Sequence, residues 1–276
     1  MEITGRVAVV TGAASGAGRA IALGLAARGA HAVVVSDIDA DGAAAVAEEV
    51  VRSGSRALAV RADVSHEKDI NDLVTRSEAA FGPVGMFFSN AGLIVGGGAE
   101  VADEAWSRIW AVNVHSHVYV ARALLPGMLA KGEGYLIITA SAAGLLTQLG
   151  SAPYAVTKHA AVALAEWLSI TYGERGIRVS CLCPQAFSSN LLSTSVRELG
   201  GAPLASSTSG GSAQAAVDGV LTAEQVAESA LDAIGTEQFL ILPHPEVATY
   251  EKRRADDRER WLRGMRRMQT RLAGQS

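Results

Sequence analysis

The sequence predicts an α/β fold, a single doubly wound domain in which helices cover both faces of a seven-stranded parallel sheet. Three observations indicate this class. Short β-branched runs alternate with helical patterns along the chain, an order typical of β-α-β units with right-handed crossovers. The runs are continuously apolar, as expected for strands that are buried on both faces. No internal repeat and no clear linker divides the chain, so residues 1–276 are expected to form one domain.

The predicted elements follow one another in a regular order. Residues 7–11 form a first strand that ends in a glycine-rich turn, and the helical spacing of residues 16–28 follows it. The remaining predicted strands are residues 32–36, 57–61, 86–89, 135–140, 177–183 and 239–242. The remaining predicted helices are residues 40–52, 66–81, 103–131, 153–174 and 222–234. The core is therefore expected to cover about 3–243, and a basic helical tail about 245–272.

Composition and charge exclude several classes of protein. Hydrophobic residues make up 49% of the 276 residues and charged residues 19%, which is enough apolar material for a substantial core and excludes a disordered chain. The formal net charge of −4 gives no bias toward nucleic acid or anionic membranes. No stretch approaches the roughly 18 apolar residues of a membrane span, and no signal peptide is evident. We therefore expect a cytoplasmic protein with no nucleic-acid or membrane partner.

Two pairs of potential metal ligands, Cys181 with Cys183 and His115 with His117, have simpler interpretations. The cysteines lie two apart in a predicted strand and share a face, which is poor geometry for a disulfide. The histidines lie two apart in a predicted helix and face different directions. Neither pair has further ligands nearby at a suitable spacing. Reduced cysteines and no metal site are expected.

The turn between the first strand and the first helix is rich in glycine. A dinucleotide pyrophosphate binds at a helix N-terminus, and side chains on such a turn would keep the backbone away from it. Glycines remove that obstruction, although an ordinary tight turn is the alternative. The expected cofactor contacts in this turn are Gly12, Ser15, Gly16, Ala17 and Gly18.

The spacing T-G-x-x-x-G-x-G resembles the turn of the short-chain dehydrogenase/reductase family, which implies a Rossmann fold and a nicotinamide cofactor. Asp37 ends the second strand, where a carboxylate accepts hydrogen bonds from the adenosine ribose and repels the 2′-phosphate of NADP. The family's NADP users often carry a basic residue at the places of Ser15 and Ile38, so the resemblance implies NAD. Otherwise Asp37 is a surface charge or a helix cap, and Asp39 competes for the cap.

Two further segments match the family's cofactor contacts. Asp63 and Val64 follow the third strand, where the family holds the adenine ring, and a helix cap is the alternative for Asp63. The segment that follows the fourth strand, S-N-A-G, resembles the family's N-N-A-G. Ser89 departs from that pattern, so the resemblance implies cofactor roles only for Asn90 and Gly92.

The segment after the sixth strand departs most from the family. The family usually has Pro-Gly there, followed by a threonine that binds the nicotinamide amide. In this chain Pro184 is kept, Gln185 replaces the glycine, and Ser189 replaces the threonine. Pro184 and Ser189 are expected to contact the cofactor. A side chain at position 185 is expected to narrow the nicotinamide pocket or to touch the substrate.

Tyr154 and Lys158 are the candidate catalytic pair, and they lie four apart on one face of a predicted helix. A phenol, with a pKa of about 10, is a poor base at neutral pH. A nearby ammonium and a positive nicotinamide ring favour the phenolate, which accepts a proton during alcohol oxidation. Resemblance to the family's site adds Ser141, which orients the substrate oxygen, and Asn113, which organises a water for proton relay. A local polar role in its helix is the alternative for Asn113.

Together these residues predict an NAD-dependent oxidoreductase that moves a hydride between the cofactor and a secondary alcohol or ketone. The expected pocket walls, residues 93–98, 142–149 and 186–218, are largely apolar and favour a hydrophobic substrate. The alternatives are an NADPH-dependent ketone reductase, an enoyl reductase of the same family, and a non-catalytic NAD-binding interaction protein. Asp37 argues against the first, the Tyr–Lys spacing against the second, and the retained catalytic pair against the third.

Two segments fall outside this pattern. Residues 200–219 are rich in Gly, Ser and Ala, and they are expected to form a mobile lid, with an inert surface loop as the alternative. Residues 249–272 predict a basic amphipathic helix. Its apolar stripe consists of Trp261, Met265, Met268 and Leu272. Because the rest of the chain is acidic, the tail is expected to pack on its own body or on a sister subunit of a homodimer or homotetramer, with a solvated, frayed helix or a helix on a membrane surface as the alternatives.

Overall fold

The computed structural model describes residues 1–189, 191–198 and 218–273, and its centre is a seven-stranded sheet. The strand order is β3-β2-β1-β4-β5-β6-β7, and neighbouring strands pair in parallel. The strands are β1 Val7–Thr11, β2 Ala32–Asp37, β3 Arg56–Arg61, β4 Val84–Ser89, β5 Gly134–Thr139, β6 Ile177–Leu182 and β7 Leu240–Ile241. The doubly wound α/β prediction is confirmed. Except for its last two positions, the expected lid at 200–219 lies outside the described residues.

The helices agree with the predicted pattern except in four places. They are α1 Gly16–Ala27, α2 Ala40–Arg52, α3 Glu67–Phe81, α4 Asp103–Trp110, α5 Ser116–Lys131, α6 Ala143–Leu146, α7 Ala152–Tyr172, α8 Leu191–Glu198, α9 Ala223–Thr236, α10 Glu246–Asp256 and α11 Arg258–Ala273. A π-helical turn, Ala111–His115, joins α4 to α5 within one predicted helix. The extended backbone of Asp257 splits the predicted tail helix into α10 and α11, and α6 and α8 lie where no helix is predicted. None of the helices within the described ranges is long and apolar enough to cross a membrane.

Apolar side chains cover both faces of the sheet, which explains why its strands read as continuous apolar runs. Phe87 and Phe88 are consecutive in β4 and fully buried, yet they belong to separate clusters on opposite faces. The Phe87 cluster includes side chains of α3, α5 and α7, and the Phe88 cluster includes side chains of α1, α2 and α9. Because both faces are buried in this way, ligands approach the carboxyl edge of the sheet.

The strand order reverses between β1 and β4, and open α/β sheets bind ligands beyond the carboxyl ends of the strands at such a point. The Asn90 side chain joins the strand ends there. Its Nδ2 donates to the Thr11 carbonyl oxygen at 3.0 Å, and its Oδ1 accepts from the Thr139 hydroxyl at 3.2 Å. Asn90 therefore fixes the ends of β1, β4 and β5 relative to one another, next to the glycine turn.

The tail begins with a helix that packs on the body of the protein. Helix α10 contacts α6, and Val247 in its first turn is fully buried in the Phe87 cluster. Helix α11 contacts α10, and the four residues of its predicted apolar stripe are partly buried. The predicted packing of the tail on its own body is therefore confirmed for α10.

Candidate active site

The glycine turn between β1 and α1 leaves no room for a side chain at Gly12 or Gly18. Gly12 has a φ of +65°, and a Cβ there would lie 2.8 Å from the Ala91 Cα. A Cβ on Gly18 would clash with the Gly12 carbonyl oxygen. Ser15 is the N-cap of α1, and within the described part of the chain its side chain makes no capping hydrogen bond. With no acidic residue in its first turn, the N-terminus of α1 fits an anionic pyrophosphate.

Asp37 ends β2 beside this turn. Its carboxylate accepts from the backbone N–H groups of Ala14 and Asp39, each at 3.0 Å. Helix α2 is capped by Asp39, whose side chain accepts from the Gly42 N–H, so the cap alternative does not apply to Asp37. The Asp37 carboxylate is thus fixed next to the turn, where it fits the hydroxyl groups of a ribose and repels a phosphate.

Asp63 is held by an ion pair that the sequence analysis missed. Its carboxylate accepts from Arg108 of α4 at 3.2 Å and from the Ser65 hydroxyl at 2.7 Å. Burial acts to raise the pKa of the Asp63 carboxyl, but the hydrogen bonds from Ser65 and Arg108 outweigh it and hold that pKa below its usual value. Helix α3 begins after its N-cap His66, so Asp63 is not its cap. The adjacent Val64 is buried in the Phe87 cluster.

Ser141 and Tyr154 meet at the carboxyl edge of β5, and both are buried. The Ser141 hydroxyl accepts from the Ala143 N–H at 3.1 Å and donates to the Pro184 carbonyl oxygen at 3.3 Å. Burial raises the pKa of the Tyr154 phenol, and a hydrogen bond with Ser141 partly offsets that shift. Burial, rather than the neighbouring ammonium, therefore sets the direction of the Tyr154 pKa shift. A protonated phenol beside a serine hydroxyl can bind a carbonyl or hydroxyl oxygen.

Lys158 lies one turn after Tyr154 in α7 and is buried. Its Nζ donates to the Thr139 carbonyl oxygen at 2.8 Å and lies 5.7 Å from the centre of the Tyr154 ring. Burial lowers the pKa of the Lys158 ammonium to about 8. A Cβ on Gly92 would lie 3.5 Å from Nζ, so this glycine keeps the space beside the ammonium open. The structure thus brings the predicted tyrosine, lysine and serine together.

Asn113 lies in the π-helical turn, an irregularity that often marks functional sites. Its Oδ1 accepts from the Leu93 N–H at 2.8 Å, and its Nδ2 donates to the Leu93 carbonyl oxygen at 2.9 Å. The same Nδ2 donates to the Thr157 hydroxyl at 3.2 Å, one residue before Lys158. The side chain therefore holds the loop after β4 against α7. Its expected support of a water relay stays a prediction.

His117 forms a buried pair with Ser89 that the sequence analysis missed. Its Nδ1 lies 2.6 Å from the Ser89 Oγ. Burial lowers the pKa of the His117 imidazole to about 3, and the Lys158 ammonium acts in the same direction, so the ring is neutral. Two features of the sequence could have indicated this contact. Ser89 departs from the family pattern, and His117 lies four residues after Asn113, on the same face of the predicted helix. His115 is exposed and faces away, as predicted.

Cys181 and Cys183 are buried at the end of β6. Their Sγ atoms lie 3.7 Å apart and are not joined in a disulfide. The contact with Cys181 and burial raise the pKa of the Cys183 thiol, which keeps it protonated. Among the described residues, no group of three or more His, Cys, Asp or Glu is placed to hold a metal ion.

The segment after β6 approaches the glycine turn. A Cβ on Gly16 would lie 3.6 Å from the Ser189 Cβ, so the two segments face each other across a narrow gap. Pro184, through its carbonyl oxygen, contacts Ser141, as described above. Gln185 directs its amide Nε2 to Asp218 Oδ2 at 3.2 Å. Its expected effect on a nicotinamide pocket stays a prediction.

Comparison with known proteins identifies the family. The sequence profile of the short chain dehydrogenases matches residues 6–199. The chain is 34% identical over 185 residues to cyclohexanol dehydrogenase of Acinetobacter sp. (strain SE19), which covers 66% of this chain and 73% of that protein. It is 32% identical over 263 residues to 1-deoxy-11-beta-hydroxypentalenate dehydrogenase of Streptomyces exfoliatus, which covers 93% of this chain and 90% of that protein.

A solved structure of the same family has a similar fold. The crystal structure of a short chain dehydrogenase/reductase from Burkholderia phymatum in complex with NAD has a TM-score of 0.85 at 31% identity, and it covers 94% of this chain and 96% of that chain. The chain therefore belongs to the short chain dehydrogenase family, and it is an oxidoreductase acting on hydroxyl or keto groups.

Proposed function

We propose that the protein is an NAD-dependent dehydrogenase that transfers a hydride between NAD(H) and a hydrophobic secondary alcohol or ketone. The observation that carries this proposal is the meeting of Ser141, Tyr154 and Lys158 at the carboxyl edge of the sheet, beside an unobstructed glycine turn. The NAD complex of the Burkholderia relative supports the cofactor, and the Acinetobacter cyclohexanol dehydrogenase supports the substrate class.

The residues proposed to hold the cofactor come from the ends of several strands. The N-terminus of α1 and the glycine turn would bind the pyrophosphate, and Asp37 would bind the adenosine ribose. The segments after β3, β4 and β6 would contact the adenine and nicotinamide rings. The full set is Gly12, Ser15, Gly16, Ala17, Gly18, Asp37, Asp63, Val64, Asn90, Gly92, Tyr154, Lys158, Pro184 and Ser189. When bound, NAD supplies the nicotinamide carbon that accepts or donates the hydride.

Proton transfer is assigned to Tyr154. In oxidation its phenolate would take the proton of the substrate hydroxyl, and bound NAD would accept the hydride from the carbon that bears this hydroxyl, so that the alcohol would become a ketone. The Ser141 hydroxyl orients the substrate oxygen, Lys158 stabilises the phenolate, and Asn113 positions the loop beside Lys158. Because burial raises the pKa of the Tyr154 phenol, the resting residue is protonated and ready to donate to a ketone.

Incubation of the protein with oxidised cofactor and a panel of hydrophobic secondary alcohols tests this function. We expect the fluorescence of the reduced cofactor to increase with several alcohols of the panel, cyclohexanol among them. In the reverse reaction, NADH fluorescence is expected to fall with the matching ketones. A panel that gives no cofactor turnover in either direction contradicts the proposal.

The cofactor preference is expected to depend on Asp37. Wild-type kcat/KM with NAD is expected to exceed that with NADP by at least about tenfold, because the fixed carboxylate repels a 2′-phosphate. Asp37→Ser is expected to reduce that ratio. Asp41→Ser, which removes a carboxylate from the first turn of α2, is the matched control and should leave the ratio near wild type. Equal values in wild type, or an unchanged ratio in Asp37→Ser, rule out this role.

An oligomer is supported by apolar side chains on the outer face of α7. Ile170 is 82% exposed and Trp167 is 55% exposed, and a patch of this kind often marks a protein interface. We infer a homodimer or homotetramer that covers this face. Ile170→Glu is expected to lower the mass measured by light scattering, whereas Val51→Glu, at a 55% exposed position on α2, should not. A monomeric wild type, or an Ile170→Glu variant of unchanged mass, argues against this interface.

A further inference from the structure

Hydrogen bonds join four polar residues from separate segments near the end of β6; we refer to Gln185, Asp218, His244 and Tyr250 as the polar cluster. The Gln185 amide Nε2 donates to Asp218 Oδ2 at 3.2 Å, and the Tyr250 hydroxyl donates to Asp218 Oδ1 at 2.9 Å. The Gln185 backbone N–H donates to His244 Nδ1 at 3.4 Å. The cluster thus links the end of β6 to the segment after β7 and to helix α10.

The polar cluster borders the catalytic residues. Gln185 directly follows Pro184, whose carbonyl oxygen accepts from both the Ser141 hydroxyl and the Ala142 N–H. Helix α10, which carries Tyr250, packs on α6, and α6 begins two residues after Ser141. The polar cluster is therefore joined to Ser141 through the Pro184 carbonyl oxygen, and to the segment after Ser141 through the contact between α10 and α6.

Two buried atoms of the cluster have no partner within the described part of the chain: Gln185 Oε1 and His244 Nε2. Only the amide nitrogen can donate to a carboxylate, so the contact with Asp218 fixes which end of the Gln185 amide remains as an acceptor. Because His244 Nδ1 accepts a hydrogen bond, the ring proton lies on Nε2, which remains as a donor. Buried polar atoms are costly when unpaired, so this acceptor and this donor indicate a ligand group.

We propose that Gln185 and His244 form a polar subsite for a second, neutral oxygen of the substrate. A hydroxyl group fits best, since it donates to Gln185 Oε1 and accepts from His244 Nε2. The Asp218 carboxylate beside the amide disfavours an anionic group. This subsite rests on the proposed function and refines it: the substrate is a hydrophobic secondary alcohol or ketone with a further hydroxyl, such as a cyclic diol or a hydroxyketone.

The tail has a defined part in this subsite. Tyr250 in α10 holds one oxygen of Asp218, and the other oxygen of Asp218 holds the Gln185 amide. The amide therefore presents Oε1 in a fixed orientation, which lowers the entropic cost of binding a hydroxyl. This chain of contacts also explains why a side chain stands at position 185 in place of the family's glycine.

The test compares kcat/KM for cyclohexanol with the values for the 1,2-, 1,3- and 1,4-cyclohexanediols in the full-length enzyme. Wild type is expected to prefer at least one diol over cyclohexanol by about tenfold, the contribution of hydrogen bonds to one added hydroxyl. Gln185→Met and His244→Leu are each expected to remove most of that preference, chiefly through KM for the diol. Gln238→Met, at an exposed glutamine whose amide donates to Leu240, is the matched control and should keep the wild-type ratio.

Tyr250→Phe keeps both Gln185 and His244. A smaller fall in the diol preference is expected for this variant, because Asp218 loses the hydroxyl of Tyr250 and holds the Gln185 amide less firmly. The subsite is overturned if wild type oxidises cyclohexanol yet prefers no diol, or if the variants change kcat/KM for both substrates equally. A change in the Kd for NADH as large as the change in diol preference would assign Gln185 and His244 to cofactor binding instead. Oxidation of cyclohexanol itself tests the proposed function, so the two failures are distinguishable.

Discussion

Replacing Tyr154 with phenylalanine is expected to lower kcat/KM for alcohol oxidation by about 100-fold to 10,000-fold, the usual contribution of a positioned proton acceptor. The change removes only the phenolic oxygen, so the buried ring keeps its packing and the Kd for NADH should stay near wild type. Wild-type kcat/KM is expected to rise with pH, because burial raises the pKa of the phenol and the phenolate is scarce at neutral pH. That rise should be absent from the variant.

Tyr172 near the end of the same helix is the matched control for this experiment. Tyr172→Phe removes a phenolic oxygen from the last turn of α7, far along the helix from Tyr154. The kcat/KM of this variant should equal the wild-type value. Near-normal turnover by Tyr154→Phe contradicts the mechanism. An equal loss in both variants would assign the effect to the fold rather than to proton transfer.

Lys158→Met is expected to reduce kcat/KM by about 100-fold or more and to weaken NADH binding as well, because the ammonium is proposed both to stabilise the phenolate and to contact the cofactor. Lys131→Met, which removes an exposed ammonium from the end of α5, is the control. A Lys158→Met variant that loses turnover but binds NADH normally would limit Lys158 to the proton transfer. Normal turnover by Lys158→Met would show that Lys158 has no part in the mechanism.

The same variant tests the burial of the ammonium through stability. Burial lowers the pKa of Lys158 from 10.5 to about 8, so the folded protein holds this proton more weakly than the unfolded chain. The charged lysine therefore destabilises the fold below pH 8, and that penalty is lost as the pH rises from 8 to 10.5. Since one pKa unit corresponds to about 1.4 kcal/mol, the free energy of unfolding of wild type relative to Lys158→Met should rise by on the order of 3 kcal/mol.

Denaturant unfolding of the cofactor-free proteins at the two ends of that pH range measures this difference. The comparison cancels pH effects from groups that do not interact with Lys158, and the change with pH excludes any pH-independent effect of the lost contact with Thr139. A difference that does not change with pH shows that the ammonium is not desolvated as described.

The elements that the sequence predicted well are those that depend on local patterns. Strands such as β1 and β2 are apolar because both of their faces are buried, and this burial is visible in any short window of residues. The glycine turn and the Tyr–Lys pair have fixed spacings set by the backbone and by the helix period. Their positions in the chain were therefore sufficient to place them at the carboxyl edge of the sheet.

The features that were missed depend on contacts between distant residues. Arg108 binds Asp63 across 45 positions, and no spacing rule relates the two. The π-helical turn at Ala111–His115 changes the local period within a helix, which a helical pattern does not report. The tail divides at Asp257, whose backbone is extended, whereas the helical spacing of residues 249–272 predicts one continuous helix. The apolar stripe itself is not interrupted, because all four of its residues lie in α11.

Position 185 shows the same limit in the proposed polar subsite. The sequence marked Gln185 as a departure from the family, but its partners Asp218 and His244, and Tyr250 which binds Asp218, lie on segments far along the chain. Only the folded chain shows that Asp218, itself held by Tyr250 of the tail, fixes the Gln185 amide and leaves its oxygen as a buried acceptor.

Transfer of the hydride itself tests the central claim most directly. Cyclohexanol carrying deuterium on its hydroxyl-bearing carbon is incubated with the protein and oxidised NAD, and the products are analysed by mass spectrometry. We expect cyclohexanone and reduced cofactor in equal amounts, with the deuterium on the nicotinamide, and no such transfer in Tyr154→Phe. Binding of NAD without deuterium transfer from cyclohexanol or from any other labelled secondary alcohol of the panel would contradict the account and favour a non-catalytic NAD-binding protein.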